Sequence, residues 1–380
     1  MTVHLHNRML FSAAGGHGHL QPLLPLAEQA IRDGHEVLVT GAASLAEYVI
    51  ARGLSFVATG PNLYPVHSPL EVRSIDEERH GLARHFVSSL GHARAKAVLD
   101  LCRSWQPDVV IRDEVDFGAA VAAEAAGLPH AAVVVIGAGN FIWPELVEEP
   151  LRNLSLDFGV DSNGVGILHR YLTLTPFPAS FRDPADPLRG SVIPYQIPPR
   201  PRTVIEQRGR TAFVTLGTIF NTESGALLRT AALGAAESPA VEGVVVATGE
   251  HLDPLDLGHL PQHVVVHRFV QQESVLAQCD VVISHGGSGT VLGALKQALP
   301  MVSLAIGADQ YLNAQRLDEL GLGVSLRADM TDAGQIRDAV TEVIASESMR
   351  MRLIEVQNEI LAMPSLKQAI RTIAKLRLSS

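Results

Sequence analysis

Cysteine is nearly absent: Cys102 and Cys279 are the only two in 380 residues, far apart and each in an apolar stretch. No disulfide framework can be built on them, and both read as small buried hydrophobes. Charge is sparse as well, at 18% of residues, and acids outnumber bases to give a net charge of −10. The clustered Lys and Arg that a phosphate backbone requires are therefore missing, and no nucleic-acid partner is expected. No apolar run reaches the ~18 residues of a membrane span. Met1–Arg8 lacks the apolar centre of a signal peptide, so a cytoplasmic protein without stable membrane insertion is expected. What the chain does have is apolar content, 47% of residues, which describes a packed globular protein. Its length suits two domains better than one.

Strand-like and helix-like segments alternate through the first half. Met9–Ser12, Glu36–Thr40, Ser55–Ala58, Val109–Ile111 and Ala131–Ile136 read as strands, with helices at Leu23–Arg32, Leu45–Arg52, Ala83–Trp105 and Phe117–Ala126. Continuous apolar strands separated by helices predict a parallel sheet covered on both faces. The pattern dissolves from Gly137 to Pro194, and a proline-rich stretch from Tyr195 to Arg202 reads as a linker. Alternation then restarts at Thr211–Thr215 and continues through Gly243–Ala247, Val264–Val266, Val281–Ser284 and Met301–Leu304. The tail from Ala333 to Leu378 has helical period and no strand. The expected division is 1–198, a linker at 199–209, a second doubly wound domain at 210–365, and a helix at 366–380 that can pack back on the first domain.

Chemistry concentrates at strand ends. His285-Gly286-Gly287-Ser288-Gly289-Thr290 lies between a strand and a helix, where backbone N–H groups and the helix dipole favour an anion. A diphosphate is the natural guest, with hydroxyl and imidazole donors added by Ser288, Thr290 and His285. After the first strand comes Gly15-Gly16-His17-Gly18-His19-Leu20-Gln21-Pro22. Pro22 suits a helix start, which places His19 just ahead of that helix and predicts a neutral imidazole able to accept a proton. His17, inside the glycine turn, reads as structural. Asp113 ends the Val109–Ile111 strand on the same sheet edge, where it can hold the other nitrogen of His19, while Asp116 reads as the next helix N-cap. Asp113-Glu114 lacks neighbours at metal-ligand spacing, so no metal is expected. Asp309-Gln310, after another buried strand, offers acceptors and donors to adjacent sugar hydroxyls.

Taken in order, Gly18-His19-Leu20-Gln21-Pro22, Pro107-Asp108 through Asp113, His285 to Thr290, and Asp309-Gln310 with Asn313-Ala314 resemble the GT-B glycosyltransferases of nucleotide-sugar-dependent family 1. The likeness is to the bacterial branch that decorates natural products, and it covers nearly the whole chain. It implies two Rossmann-like α/β domains facing across a cleft. It implies an inverting transfer from a TDP- or UDP-sugar, a co-substrate with no further cofactor, to a small natural-product hydroxyl.

By the same resemblance His19 is the base and Asp113 its partner. His285, Gly287, Ser288, Gly289 and Thr290 would hold the diphosphate, and Asp309 with Gln310 the sugar. Thr215, Gly217 and Thr218 match the glycine turn of the donor domain. Phe269, Val270 and Gln272 match the segment that holds the base. The plant enzymes carry Trp-x-Pro-Gln there, where this chain has Phe269-Val270-Gln271-Gln272, and their ribose-binding Glu is Gly293 here. Ribose recognition is thus unassigned. Tyr64, His67, His85, Phe86, Phe141 and Trp143 are the acceptor-pocket candidates, in a chain with only 5% aromatics.

Three rivals remain at this stage. A nucleotide-sugar epimerase or cell-wall transferase could use the same fold. A non-catalytic nucleotide-sugar-binding helper would be expected to lack His19 or Asp113. A nicotinamide oxidoreductase is disfavoured because neither half has a full glycine fingerprint followed by a ribose-binding acid. The oligomeric state is open, a homodimer included.

Overall fold

A computed structural model describes residues 6–61, 72–161, 164–198, 209–217, 224–249 and 252–378. The first lobe is built on a seven-stranded sheet in the order β3-β2-β1-β4-β5-β6-β7. Its strands are β1 (Arg8–Ser12), β2 (Glu36–Gly41), β3 (Phe56–Ala58), β4 (Val109–Asp113), β5 (His130–Val133), β6 (Leu172–Thr175) and β7 (Val192–Pro194). The second lobe carries six strands in the order β10-β9-β8-β11-β12-β13. These are β8 (Thr211–Thr215), β9 (Gly243–Ala247), β10 (Val264–His267), β11 (Val281–Ser284), β12 (Met301–Ala305) and β13 (Gly323–Arg327). The strand pairs are parallel, as buried Val- and Ile-rich strands with helical crossovers require.

Both sheets reverse strand order at one point, between β1 and β4 in the first and between β8 and β11 in the second. Open α/β sheets leave a crevice beyond the strand ends there. His19 follows β1 and Asp113 ends β4; Gly217 and His285 follow β8 and β11.

The stretch from Gly137 to Pro194 is more regular than its sequence suggests. It holds helix Pro144–Asp157 together with β6 and β7. Pro144 sits in the first turn, where its missing N–H costs nothing, and Pro150 is carried inside the helix. Helix Ile75–Leu82 is a second element absent from the periodicity reading. It begins with a reciprocal Ser74/Glu77 capping box and runs into a π-helical segment, Ala83–Ser89, and then helix Leu90–Trp105. β13 was also unmarked.

Helix Leu366–Lys375, opened by a Ser365/Gln368 capping box, lies on the first lobe and not on the second. It buries Leu366, Ile370 and Ile373 in one cluster with Met9, Phe11 and Leu23. Asn7 Nδ2 donates to the Ala374 carbonyl at 3.0 Å, and Gln196 N–H to the Pro364 carbonyl at 2.8 Å. Among the described residues no helix is long and apolar enough to cross a membrane.

Candidate active site

The first corner of the site is assembled from two strand ends. His17–Leu20 forms a single helical turn after β1, and Pro22 then precedes helix Leu23–Arg32. The ring of His19 lies over Gly15, where any Cβ would overlap it, so the glycine is a steric requirement. Its Nδ1 faces Asp113 Oδ2 at 3.6 Å, an ion-pair approach slightly longer than a hydrogen bond. Asp113 is fully buried and is fixed by the Ala14 N–H at 2.7 Å and the Val115 N–H at 2.8 Å. Phe86, from the π-helical segment, stacks on the His19 ring with centroids 5.7 Å apart. A π-bulge is the usual way a long helix re-aims one side chain into a site.

Electrostatics there run opposite to the helix-dipole expectation. Burial lowers the His19 pKa, but the Asp113 carboxylate, with Asp309 and Glu114 beyond it, outweighs burial and raises it above 6.5. A one-turn helix has too small a dipole to compete with a carboxylate in contact. Burial likewise pushes Asp113 up, yet His19, the Ala14 N–H and Arg94 bring it below its ordinary value.

Behind Asp113 lies a buried bidentate pair. Arg94 holds both carboxylate oxygens of Asp116 at 2.9 and 2.7 Å and also reaches Ser12 and Thr59. Asp116 also caps helix Phe117–Ala125, as its position suggested. Removing one member of such a pair costs about 3–5 kcal/mol.

The second corner is neutral. Thr215 ends β8 and Gly217 follows it with φ of +76°. A Cβ on Gly217 or on Gly287 would run into the His285 ring, so two glycines make a slot for one imidazole. Burial pushes His285 down to about 4, with the Thr215 backbone only partly opposing. Thr290 lies buried in the first turn of helix Ser288–Lys296, whose N-cap is Gly287. Gly289 faces the first lobe: a Cβ there would come 3.7 Å from Gln21 Oε1. His19 and the glycine turn thus face each other across one cleft.

Two expected ligands are committed elsewhere. The Ser288 hydroxyl, expected to meet a diphosphate, donates instead to Asp309 Oδ2 and accepts from the Gly137 N–H at 2.8 Å. Gln310, expected at the sugar, turns its side-chain oxygen back to the Ile306 and Gly307 N–H groups at 2.9 and 3.2 Å. Desolvation of the half-buried Asp309 pushes its pKa up, and Ser288 and Asn313 hydrogen bonds oppose this. Asn313, quoted in the motif but given no role, donates to Gly286, Ser288 and Asp309. Its place one helical turn after Asp309 was the available signal.

In the segment expected to hold the nucleotide base, Phe269 is 70% exposed, whereas Val270 packs on the second core. Gln272 opens helix Gln272–Leu276, and its Nε2 lies 3.5 Å from where a Gly293 Cβ would be. A larger residue at 293 would strike Leu276, which accounts for glycine where plant relatives carry Glu.

Of the acceptor candidates, Phe86 stacks on His19 and His85 is exposed. Phe141 is chiefly core, 7% exposed, with one edge on a cavity of about 60 Å³ beside Glu114, His169 and Arg182. Burial raises Glu114 there to about 6. Trp143 donates to Asn140 and carries the Arg79 guanidinium 3.9 Å over its ring, so it anchors a loop. Tyr64, His67 and Thr218 lie outside the described residues. Among the described residues no group of three or more His, Cys, Asp or Glu is placed to hold a metal ion.

Comparison with known proteins agrees with this architecture. Family models for the N-terminal and C-terminal domains of erythromycin biosynthesis protein CIII-like proteins match residues 29–143 and 233–376. The chain is 27% identical to 3-alpha-mycarosylerythronolide B desosaminyl transferase of Saccharopolyspora erythraea, over 94% of this chain and 95% of that one. CalG4, the calicheamicin glycosyltransferase, superposes with a TM-score of 0.79 at 26% identity, covering 98% of both chains. The spinosyn rhamnosyltransferase SpnG, complexed with thymidine diphosphate, gives 0.80 at 23% identity over 96% of this chain and 99% of that one. With both halves matched in order on two facing Rossmann-like lobes, the chain belongs to the erythromycin CIII-like family of GT-B glycosyltransferases.

Proposed function

We propose that the protein is an inverting glycosyltransferase that moves a deoxysugar from a thymidine diphosphate donor to a hydroxyl of a macrolide-like natural product. The observation that carries this reading is the half-buried His19, paired with the buried Asp113 of the same lobe, facing the glycine slot of the other. Relatives named for desosaminyl, mycarosyl and mycaminosyl transfer support the donor and acceptor classes. Residues 1–198 with 366–380 would take the acceptor and 210–365 the donor.

In this reading His19 removes the acceptor proton as that oxygen attacks the anomeric carbon from the face opposite the diphosphate. Configuration inverts. Asp113 orients the ring and stabilises the imidazolium that forms. Charge developing on the leaving diphosphate is met by Thr290, His285 and the first-turn N–H groups of helix Ser288–Lys296, which favours the transition state over the ground state. A neutral His285 can donate one N–H without adding a charge, and Gly287 and Gly289 allow close approach. In this reading Thr215 and Gly217 line the same cleft, Phe269, Val270 and Gln272 border the nucleotide base, and Asp309 faces the sugar, with Gln310 holding the backbone of that turn. No further cofactor is invoked.

His19→Ala tests the reading. Turnover, followed by mass spectrometry of products from pooled macrolide acceptors, should fall by roughly 10²–10⁴-fold. Calorimetric affinity for thymidine diphosphate should stay unchanged. Parallel loss of both would overturn the assignment of His19 as base.

A further inference from the structure

Ser288 sits among the residues expected to hold the diphosphate, yet its hydroxyl has nothing left to offer an anion. A hydroxyl has one proton and two acceptor sites. The proton goes to Asp309 Oδ2; the acceptor sites take the Gly137 N–H at 2.8 Å and Asn313 Nδ2 at 3.0 Å. Asn313, fully buried, completes the set: its Oδ1 accepts the Ala138 N–H at 3.1 Å, and its Nδ2 also reaches Gly286 at 2.9 Å and Asp309 at 3.0 Å. Gly137 and Ala138 belong to the first lobe, following β5, whereas every other member is in the second. Ala138 is also packed into the second lobe's apolar core, beside Phe177 and Phe181.

We propose that Ser288 and Asn313 are positioning residues that make recognition of the donor sugar depend on lobe closure, with the Gly137 and Ala138 N–H groups as the closing contacts. The proposal rests on the reading of Asp309 as the sugar ligand. Asp309 is half-buried, and its Oδ2 is oriented by two neutral donors, the Ser288 hydroxyl and the Asn313 amide. When the lobes part, Ser288 and Asn313 each lose one partner, and buried polar groups left unpaired re-orient to find others. The carboxylate then loses the geometry that presents it to sugar hydroxyls. His285, Gly287, Gly289 and Thr290 depend on no such contact, so the diphosphate can be held in either arrangement.

The experiment compares thymidine diphosphate with TDP-glucose by calorimetry on wild type, Ser288→Ala, Ser288→Thr and Asn313→Asp. Wild type should bind TDP-glucose more tightly than thymidine diphosphate. Ser288→Ala should lose about tenfold of that excess, the equivalent of one hydrogen bond. Its affinity for thymidine diphosphate should hold within about twofold. Ser288→Thr, which keeps the hydroxyl, should restore the excess. Asn313→Asp, which sets a second carboxylate against Asp309, should lose more. Should Asn313→Asp fail to fold, the Ser288 pair decides alone.

Equal weakening of both ligands by Ser288→Ala would make Ser288 a diphosphate ligand and overturn the proposal. So would an excess that survives Ser288→Ala, or a wild type with no excess. A wild type that binds neither compound would instead remove the functional reading beneath it.

Discussion

His19 and His285 occupy corresponding places in two similar sheets, each just beyond the strand ends at a reversal of strand order, and they are tuned in opposite directions. At His19 a contacting carboxylate overrides burial and the proton is held more tightly. At His285 no acid among the described residues shifts the ring, burial decides, and the pKa is lowered to about 4. One crevice geometry thus serves two electrostatic tasks, because the switch point fixes where a side chain sits while its neighbours fix its charge. In the reaction proposed above the first corner would change protonation during turnover, whereas the second would stay uncharged and donate one hydrogen bond to a diphosphate.

The sharpest way to break the contrast is to remove the proton acceptor, and His19→Ala should give the largest effect, as set out above. Removing the tuning carboxylate comes next. Asp113→Asn takes away what raises the His19 pKa, so the acid limb of the kcat/KM profile should move to lower pH. The plateau should also fall by at least about tenfold, because the imidazolium is no longer stabilised. An acid limb that stays in place in a pH–rate series would show that Asp113 does not set the pKa of the base.

On the other side, Gly217→Ala or Gly287→Ala places a methyl group against the His285 ring. Thymidine diphosphate affinity should weaken by about tenfold or more, at a stability cost of about 1–3 kcal/mol for overpacking. Calorimetry and thermal unfolding separate the two effects.

The smallest expected effect concerns pH and stability. His285, His130 and His169 are all lowered to about 4 from 6.5, by burial first in each case. The unfolded chain therefore binds more protons than the native one between those values, so stability is full above pH 6.5 and declines as pH falls toward 4. His19 works in the other direction: its raised pKa adds stability below 6.5 that is lost as pH rises through the folded value. Melting temperatures from pH 7 to 4.5 should therefore decline, and His285→Gln should flatten the decline.

Much of this was legible in the sequence for a simple reason. Parallel strands buried on both faces read as apolar runs, and glycines at their ends cannot be replaced where an imidazole lies against the backbone. Two sheets, the glycine-rich turn after residue 284 and the pairing of residue 19 with residue 113 follow from those runs and spacings.

Helix Ile75–Leu82 escaped because Asp76, Glu77, Glu78, Arg79 and His80 leave no apolar stripe to count. Helix Pro144–Asp157 escaped because Pro150 reads as a breaker. The direction of the His19 shift escaped for a different reason: the sequence places Asp113 beside the ring, but not how far its carboxylate outweighs burial and the dipole of a helix of one turn. The use of Ser288 was hidden because its partner at Gly137 lies in the other lobe.

The tail that doubles back onto the first lobe bears on how donor specificity could be transplanted. Because Leu366, Ile370 and Ile373 complete the core under β1, the polypeptide passes between lobes twice, through Tyr195–Ile197 and again near Pro364. A chimaera with one junction would leave a foreign helix plugging the acceptor-side core. Swapping the donor module between relatives therefore calls for two cuts, with the last turns of chain kept alongside the lobe that begins it.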